Sequence, residues 1–116
     1  MYRIMIVEDD EVIACAVQQS LVSWGMDAFC VQDFSSVLAE FAVKNPQLVL
    51  MDIHLPFFNG FHWCQEIRKV SKVPVIFLSS ASDNMNIIMA VNMGGDDFIA
   101  KPFDLSVLTA KVQAML

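Results

Sequence analysis

The chain has 116 residues, 13 acidic and 7 basic, with a formal charge of −6. That length suits one domain, and the acidic balance argues against this segment wrapping nucleic acid or coating an anionic membrane. Apolar residues make up 56% and charged residues 17%, which excludes disorder and predicts that some apolar surface faces a partner.

Short apolar runs alternate with longer helical patterns. Arg3 to Val7 reads as a buried strand. Val12, Ile13, Ala16, Val17, Leu21 and Trp24 follow helical spacing. Asp27 to Val31 is a weaker strand. Val37, Leu38, Phe41 and Ala42 form a second helical stripe, which stops at Asn45-Pro46 because the residue before proline disfavours helix. Leu48 to Met51 is a strand, and Phe61, Cys64 and Ile67 mark a third helix after Asn59-Gly60. Val75 to Leu78 is a strand after Pro74. Asn86 to Met93 is a fourth helix, ended by Gly94-Gly95, where a left-handed turn is allowed. Phe98 to Ala100 is a short strand. Leu105, Leu108, Val112 and Met115 are the core stripe of a last helix.

Apolar runs without strict alternation mean strands covered on both faces. The pattern predicts an α/β fold, a doubly wound parallel sheet of five strands flanked by five helices. No span is predicted: the longest uncharged stretch, Val12 to Met26, is interrupted by polar residues and is shorter than the roughly 20 apolar residues required. The N-terminal apolar run ends in acids and is too short for a signal peptide, so a cytoplasmic location is expected. Cys15, Cys30 and Cys64 share no close spacing and read as free thiols. His54 and His62 do not suggest a metal pair, and Trp24 and Trp63 read as packing residues.

In a parallel sheet the strand C-termini share one edge, where sites form. Glu8, Asp9 and Asp10 follow the first strand, and Asp52 ends the third. Ser79 and Ser80 follow the fourth, and Lys101-Pro102 the fifth. Taken singly, each has an ordinary explanation: Glu8-Asp9-Asp10 as helix-capping acids, Asp52 and the serines as turn residues, Lys101 as a solvated charge. Together they predict converging carboxylates, a hydroxyl and an ammonium. Crowded carboxylates raise one another's pKa, and a hard cation such as Mg²⁺ relieves that. A carboxylate beside the cation can accept a phosphoryl group, whose charge the ion, hydroxyl and ammonium then share.

The motifs Ile6-Val7-Glu8-Asp9-Asp10, Leu50-Met51-Asp52-Ile53-His54-Leu55-Pro56 with Asn59-Gly60, Pro74 to Ser80, and Gly95 to Phe103 resemble the receiver domain of two-component response regulators over essentially the whole chain. The resemblance implies a flavodoxin-like, CheY-like sheet of order 2-1-3-4-5. It makes Asp52 the phosphoacceptor for a sensor histidine kinase. It makes Asp9, Asp52 and the backbone carbonyl of His54 the Mg²⁺ ligands, with Glu8 the other member of the acidic pair. Ser79 becomes the switch hydroxyl, Phe98 the rotating aromatic, and Lys101 the phosphate contact, with a cis bond to Pro102.

Asn59 to Cys64 and Gly95-Asp96-Asp97 narrow the resemblance to the winged-helix (OmpR/PhoB-type) DNA-binding subfamily, near regulators that answer cell-envelope and antimicrobial-peptide stress in Gram-positive bacteria. There a DNA-binding domain follows the receiver, so this chain is expected to be the receiver part of a longer one, residues 1–116, touching DNA only through the attached domain. The subfamily forms homodimers through its fourth helix, fifth strand and fifth helix. Asp96, Asp97 and Lys111 remain as charged candidates, while Met89 and Val107 stand where charges are expected, so the face is expected to be apolar and weakly salt-sensitive. Such a domain catalyses its own phosphotransfer and slow hydrolysis.

Three rivals stand beside this reading. A phosphatase needs a second acid two residues after Asp52, and His54 occupies that place. A flavin carrier needs a Gly- and hydroxyl-rich loop where acids stand. A receiver-like interaction module that takes no phosphate remains the alternative.

Overall fold

The computed structural model describes residues 1–79, 88, 89 and 91–116. Strands β1 (Arg3–Val7), β2 (Asp27–Cys30), β3 (Leu48–Asp52), β4 (Val75–Ser79) and β5 (Asp97–Ala100) form one parallel sheet in the order β2-β1-β3-β4-β5. Every residue of β3 and β4 is buried, as apolar runs covered on both faces require.

Helices α1 (Glu11–Ser23), α2 (Val37–Lys44), α3 (Gly60–Arg68) and the C-terminal helix (Leu105–Met115) flank the sheet. The side chains of the sheet divide into two cores. Ile4, Ile6, Leu48, Leu50, Ile76 and Leu78 pack with α1 and the C-terminal helix. Met5, Val7, Val49, Met51, Val75 and Phe77 pack with α2 and α3.

The predicted fourth helix falls partly outside the described residues. Ile88, Met89, Val91 and Asn92 are helical, and Gly94 takes φ +90° in the turn that follows. Among the described residues there are therefore four complete helices instead of the five expected.

Local chemistry sets the ends. The Asp10 carboxylate accepts from the N–H groups of Val12 (3.0 Å) and Ile13 (3.3 Å), capping α1. Asn45 ends α2 in the left-handed region at φ 49°, immediately before Pro46. Asn59 caps α3 by accepting from His62 N–H at 2.9 Å.

Two members of the predicted α1 stripe are misplaced. Val12 is 79% exposed and Trp24 62% exposed. Trp24 is the C-cap of α1, where the chain turns off through Gly25 at φ +85°, so its ring leaves the stripe the spacing assigned to it. Trp63 does pack, in the α3-side core. The three cysteines are free thiols, and among the described residues no helix is long and apolar enough to cross a membrane.

Candidate functional site

The parallel order carries the predicted residues to one edge. The loop after β1 supplies Glu8 and Asp9, the end of β3 supplies Asp52, the end of β4 Ser79, and the residue after β5 Lys101. Carboxylate oxygens of Glu8, Asp9 and Asp52 lie within 4.8 Å of one another. Glu8, Asp52 and Ser79 are buried, whereas Asp9 is exposed at the rim. Ser80 lies outside the described residues.

Lys101 binds this cluster together. Its Nζ lies 3.3 Å from Asp52 Oδ2 and contacts Glu8 Oε1 directly. Its own backbone N–H donates to the Ser79 carbonyl at 2.7 Å, which ties the end of β5 to the end of β4. The Lys101–Pro102 peptide bond is cis, as the resemblance implies. The three acids after β1 therefore divide their work: Asp10 caps the helix, Glu8 meets the ammonium, and Asp9 faces the cluster.

Three carboxylates against one ammonium leave two negative charges uncompensated when all are ionised. Burial pushes the Glu8 carboxyl above its ordinary 4.5; Lys101 pulls it down without cancelling that, and the neighbouring Asp52 raises it further. Partial burial raises Asp9 above 3.8, with Glu8 adding to it. Burial alone would lower Lys101, but the Glu8 and Asp52 carboxylates outweigh it and hold the ammonium above its ordinary 10.5.

This donor set fits a hard divalent cation. Its ligands are all carboxylate oxygens, with no thiol or imidazole in the cluster. Octahedral Mg²⁺ wants neighbouring oxygens about 3 Å apart, a closure that the exposed Asp9 side chain can supply. Glu8 Oε1 is buried and accepts no aligned hydrogen bond, so the carboxylate's charge is offset by the Lys101 ammonium and by Asp10 N–H, which donates to Oε2 at 3.2 Å.

Gly60, named in the sequence only as part of the Asn59-Gly60 pair before the third helix, is packed directly on the end of β3. A Cβ built there would collide with the Asp52 carbonyl oxygen and press on Met51 Cγ at 3.0 Å. Its N–H donates to the Ile53 carbonyl at 2.9 Å. The Asn-Gly pair was the available signal, since close backbone approach calls for glycine.

His54 is exposed on the loop after β3. Phe98 is half-buried in β5, paired in register with Phe77. Met89 is half-buried, and Val107 is 49% exposed. Asp97 pairs with Lys111 of its own chain at 3.0 Å. Asp96 pairs with Arg68 at 2.8 Å and also accepts from Val75 N–H at 2.8 Å. Both aspartates expected to offer charge to a partner are thus held within one molecule.

The chain is similar to known proteins. A family model described as "Response regulator receiver domain" matches residues 4–113. The sensory transduction protein BceR of Bacillus subtilis (strain 168) is 47% identical over 115 residues, 99% of this chain and 50% of that protein. The response regulator protein GraR of Staphylococcus haemolyticus (strain JCSC1435) is 40% identical over 113 residues, 97% of this chain and 50% of that protein. The solved N-terminal domain of the nisin resistance regulator NsrR, a lantibiotic response regulator, superposes with TM-score 0.90 at 48% identity, covering 99% of this chain and 97% of that one. The chain spans about half the length of the curated relatives it matches.

Proposed function

We propose that this chain, which belongs to the response regulator receiver domain family, is a phosphorylation switch whose acceptor is Asp52. The observation that carries the reading is the Lys101 ammonium set between Glu8 and Asp52, with Asp9 within 4.8 Å. A histidine kinase would present phosphohistidine. An Asp52 carboxylate oxygen forms the new bond to phosphorus as the P–N bond to the imidazole breaks, and the electron pair leaves with the imidazole. Lys101 is positioned to follow the transferred charge, and Ser79, at the end of β4, is one strand away from Asp52. Mg²⁺, held by Asp9, Asp52 and the His54 carbonyl with Glu8 beside them, would supply charge neutralisation for the phosphoryl oxygens.

An apolar groove of about 430 Å³ adjoins the site. It is lined by Val12, Ile13, Ala16 and Val17 of α1 and by Lys101 to Phe103 and Leu105. The exposure of Val12 makes sense as part of this groove. A kinase helix laid there would bring its histidine toward Asp52.

Phosphorylation adds close to two negative charges and biases the surface around Phe98, the helical residues Ile88, Met89, Val91 and Asn92, and the C-terminal helix. Ile88, Val91 and Val107 are 53%, 66% and 49% exposed there, while Asp96 and Asp97 are paired internally. This supports a homodimer joined by apolar contact. In a longer OmpR/PhoB-type regulator, pairing two receivers would pair two DNA-binding domains. The description of NsrR as a lantibiotic response regulator of nisin resistance supports a role in signalling resistance to antimicrobial peptides, and BceR, a sensory transduction protein, supports a role in signalling.

The test is intact-mass spectrometry after incubation with acetyl phosphate and Mg²⁺. The expected result is one phosphoryl addition to the unsubstituted chain and none to Asp52→Asn. No addition to the unsubstituted chain would favour the phosphate-independent interaction module. Retained labelling of Asp52→Asn would move the acceptor elsewhere.

A further inference from the structure

The loop from Ile53 to Asn59 leaves Asp52 and returns to it. Its first residue is anchored by Ile53 N–H donating to the Leu78 carbonyl at 3.2 Å, and it closes where Gly60 N–H donates to the Ile53 carbonyl and the Gly60 backbone abuts the Asp52 carbonyl. His54 rides on this loop. At its crest Phe58 N–H donates to the Pro56 carbonyl at 2.9 Å, bracketing Phe57 at φ +68°. That is a γ-turn of the positive-φ kind, strained for any residue with a side chain and more so for a bulky one.

Strain of this sort persists only where the surroundings over-determine it. Phe57 supplies no such support, because its ring is 77% exposed. Phe58 does. Its ring stacks on His62 with centroids 4.3 Å apart and planes 20° apart, and meets Trp63 edge-on at 5.5 Å. His62 meets Trp63 at 4.8 Å, and Trp63 is buried in the α3-side core. The three rings clamp the loop crest to the first turn of α3, whose start is itself packed on Asp52.

We propose that Phe58 is a positioning residue for the ion site: its clamp on His62 and Trp63 holds the Ile53–Asn59 loop, with its strained turn, in the shape that completes the Mg²⁺ site beside Asp52. The inference rests on the proposed ion site. Phe58 is not itself a ligand; it acts by removing the loop's freedom to relax, so that the loop is ordered before the ion arrives.

The experiment is calorimetric titration of the chain with MgCl2 alone, beside thermal melts in chelator. Phe58→Ala is expected to weaken Mg²⁺ binding by about tenfold, the scale on which outer-shell supports act. Phe58→Tyr keeps the ring stack and is expected to bind as the unsubstituted chain does. Phe58→Leu, which keeps apolar bulk without a ring, guards against a variant that fails to fold and is expected to bind weakly as well. Unchanged Mg²⁺ affinity in Phe58→Ala or Phe58→Leu, with only a lower metal-free melting temperature, would leave Phe58 a packing residue and overturn the inference. Failure of the unsubstituted chain to bind Mg²⁺ would remove the ion site itself, an outcome distinct from the first.

Discussion

Gly60 and the Asp52 carbonyl are in backbone contact, so the first residue of α3 buttresses β3 where it ends. No side chain fits between them. The colliding atom is backbone, held in the sheet by the pairing of Asp52 with Leu78, and cannot swing aside as a flexible side chain would.

Gly60→Ala is therefore expected to destabilise the domain by about 3 kcal/mol, at the upper end of ordinary overpacking. It should also lower the rate of Asp52 labelling by acetyl phosphate, because relief of the clash must move Asp52 or the start of α3. Urea unfolding and a labelling time course measure the two effects. Wild-type stability would show that the two elements separate at no cost.

The second prediction concerns Mg²⁺ and pH. Glu8 and Asp9 have folded-state pKa values raised above 4.5 and 3.8. Between the ordinary and the raised values the native state binds more protons than the unfolded chain, so metal-free stability falls as pH rises through that window. Mg²⁺ needs the same carboxylates ionised, so its stabilisation grows as pH rises through it. At an ion concentration about 100 times Kd the gain is about 2.7 kcal/mol. Thermal melts with and without Mg²⁺ should show a larger shift at neutral pH than near pH ~4.5, where these groups take up protons. An equal shift at both would place the ion away from Glu8 and Asp9.

The sheet and the identity of the cluster were legible in the sequence because both follow from short-range rules. Leu48 to Met51 and Val75 to Leu78 are uninterrupted apolar runs, which only a doubly covered strand accommodates, and parallel order then forces Asp52, Ser79 and Lys101 to one edge. The capping of α1 by Asp10 is equally local. Long-range partners were not legible. Asp96 belongs to Arg68, 28 residues earlier, and nothing near Asp96 in the chain announces that. Trp24 keeps helical spacing although the helix ends one residue before it. The Phe58 clamp depends on a positive φ at Phe57, a conformation that periodicity does not encode.

The third prediction follows from Asp96 and Asp97 being paired within their own chain, with Arg68 and Lys111. Bridges between subunits built on these acids would first have to break internal ones, and exchanging one surface pair for another gains little. What the face offers instead is Ile88, Val91 and Val107, each about half exposed or more. A dimer joined by such residues is held by apolar burial, which salt does not screen. Raising salt from about 0.1 M to about 1 M shortens the Debye length from about 10 Å to about 3 Å. With a phosphoryl mimic bound, the dimerisation constant from sedimentation equilibrium should stay constant or tighten over that range. Val91→Lys, which places a charge in the patch, should leave the chain monomeric while Asp52 is still labelled by acetyl phosphate. A dimer that weakens steeply with salt, or one that tolerates Val91→Lys, would put the interface elsewhere, because Asp96 and Asp97 already hold Arg68 and Lys111 and a lysine buried in an apolar patch is costly.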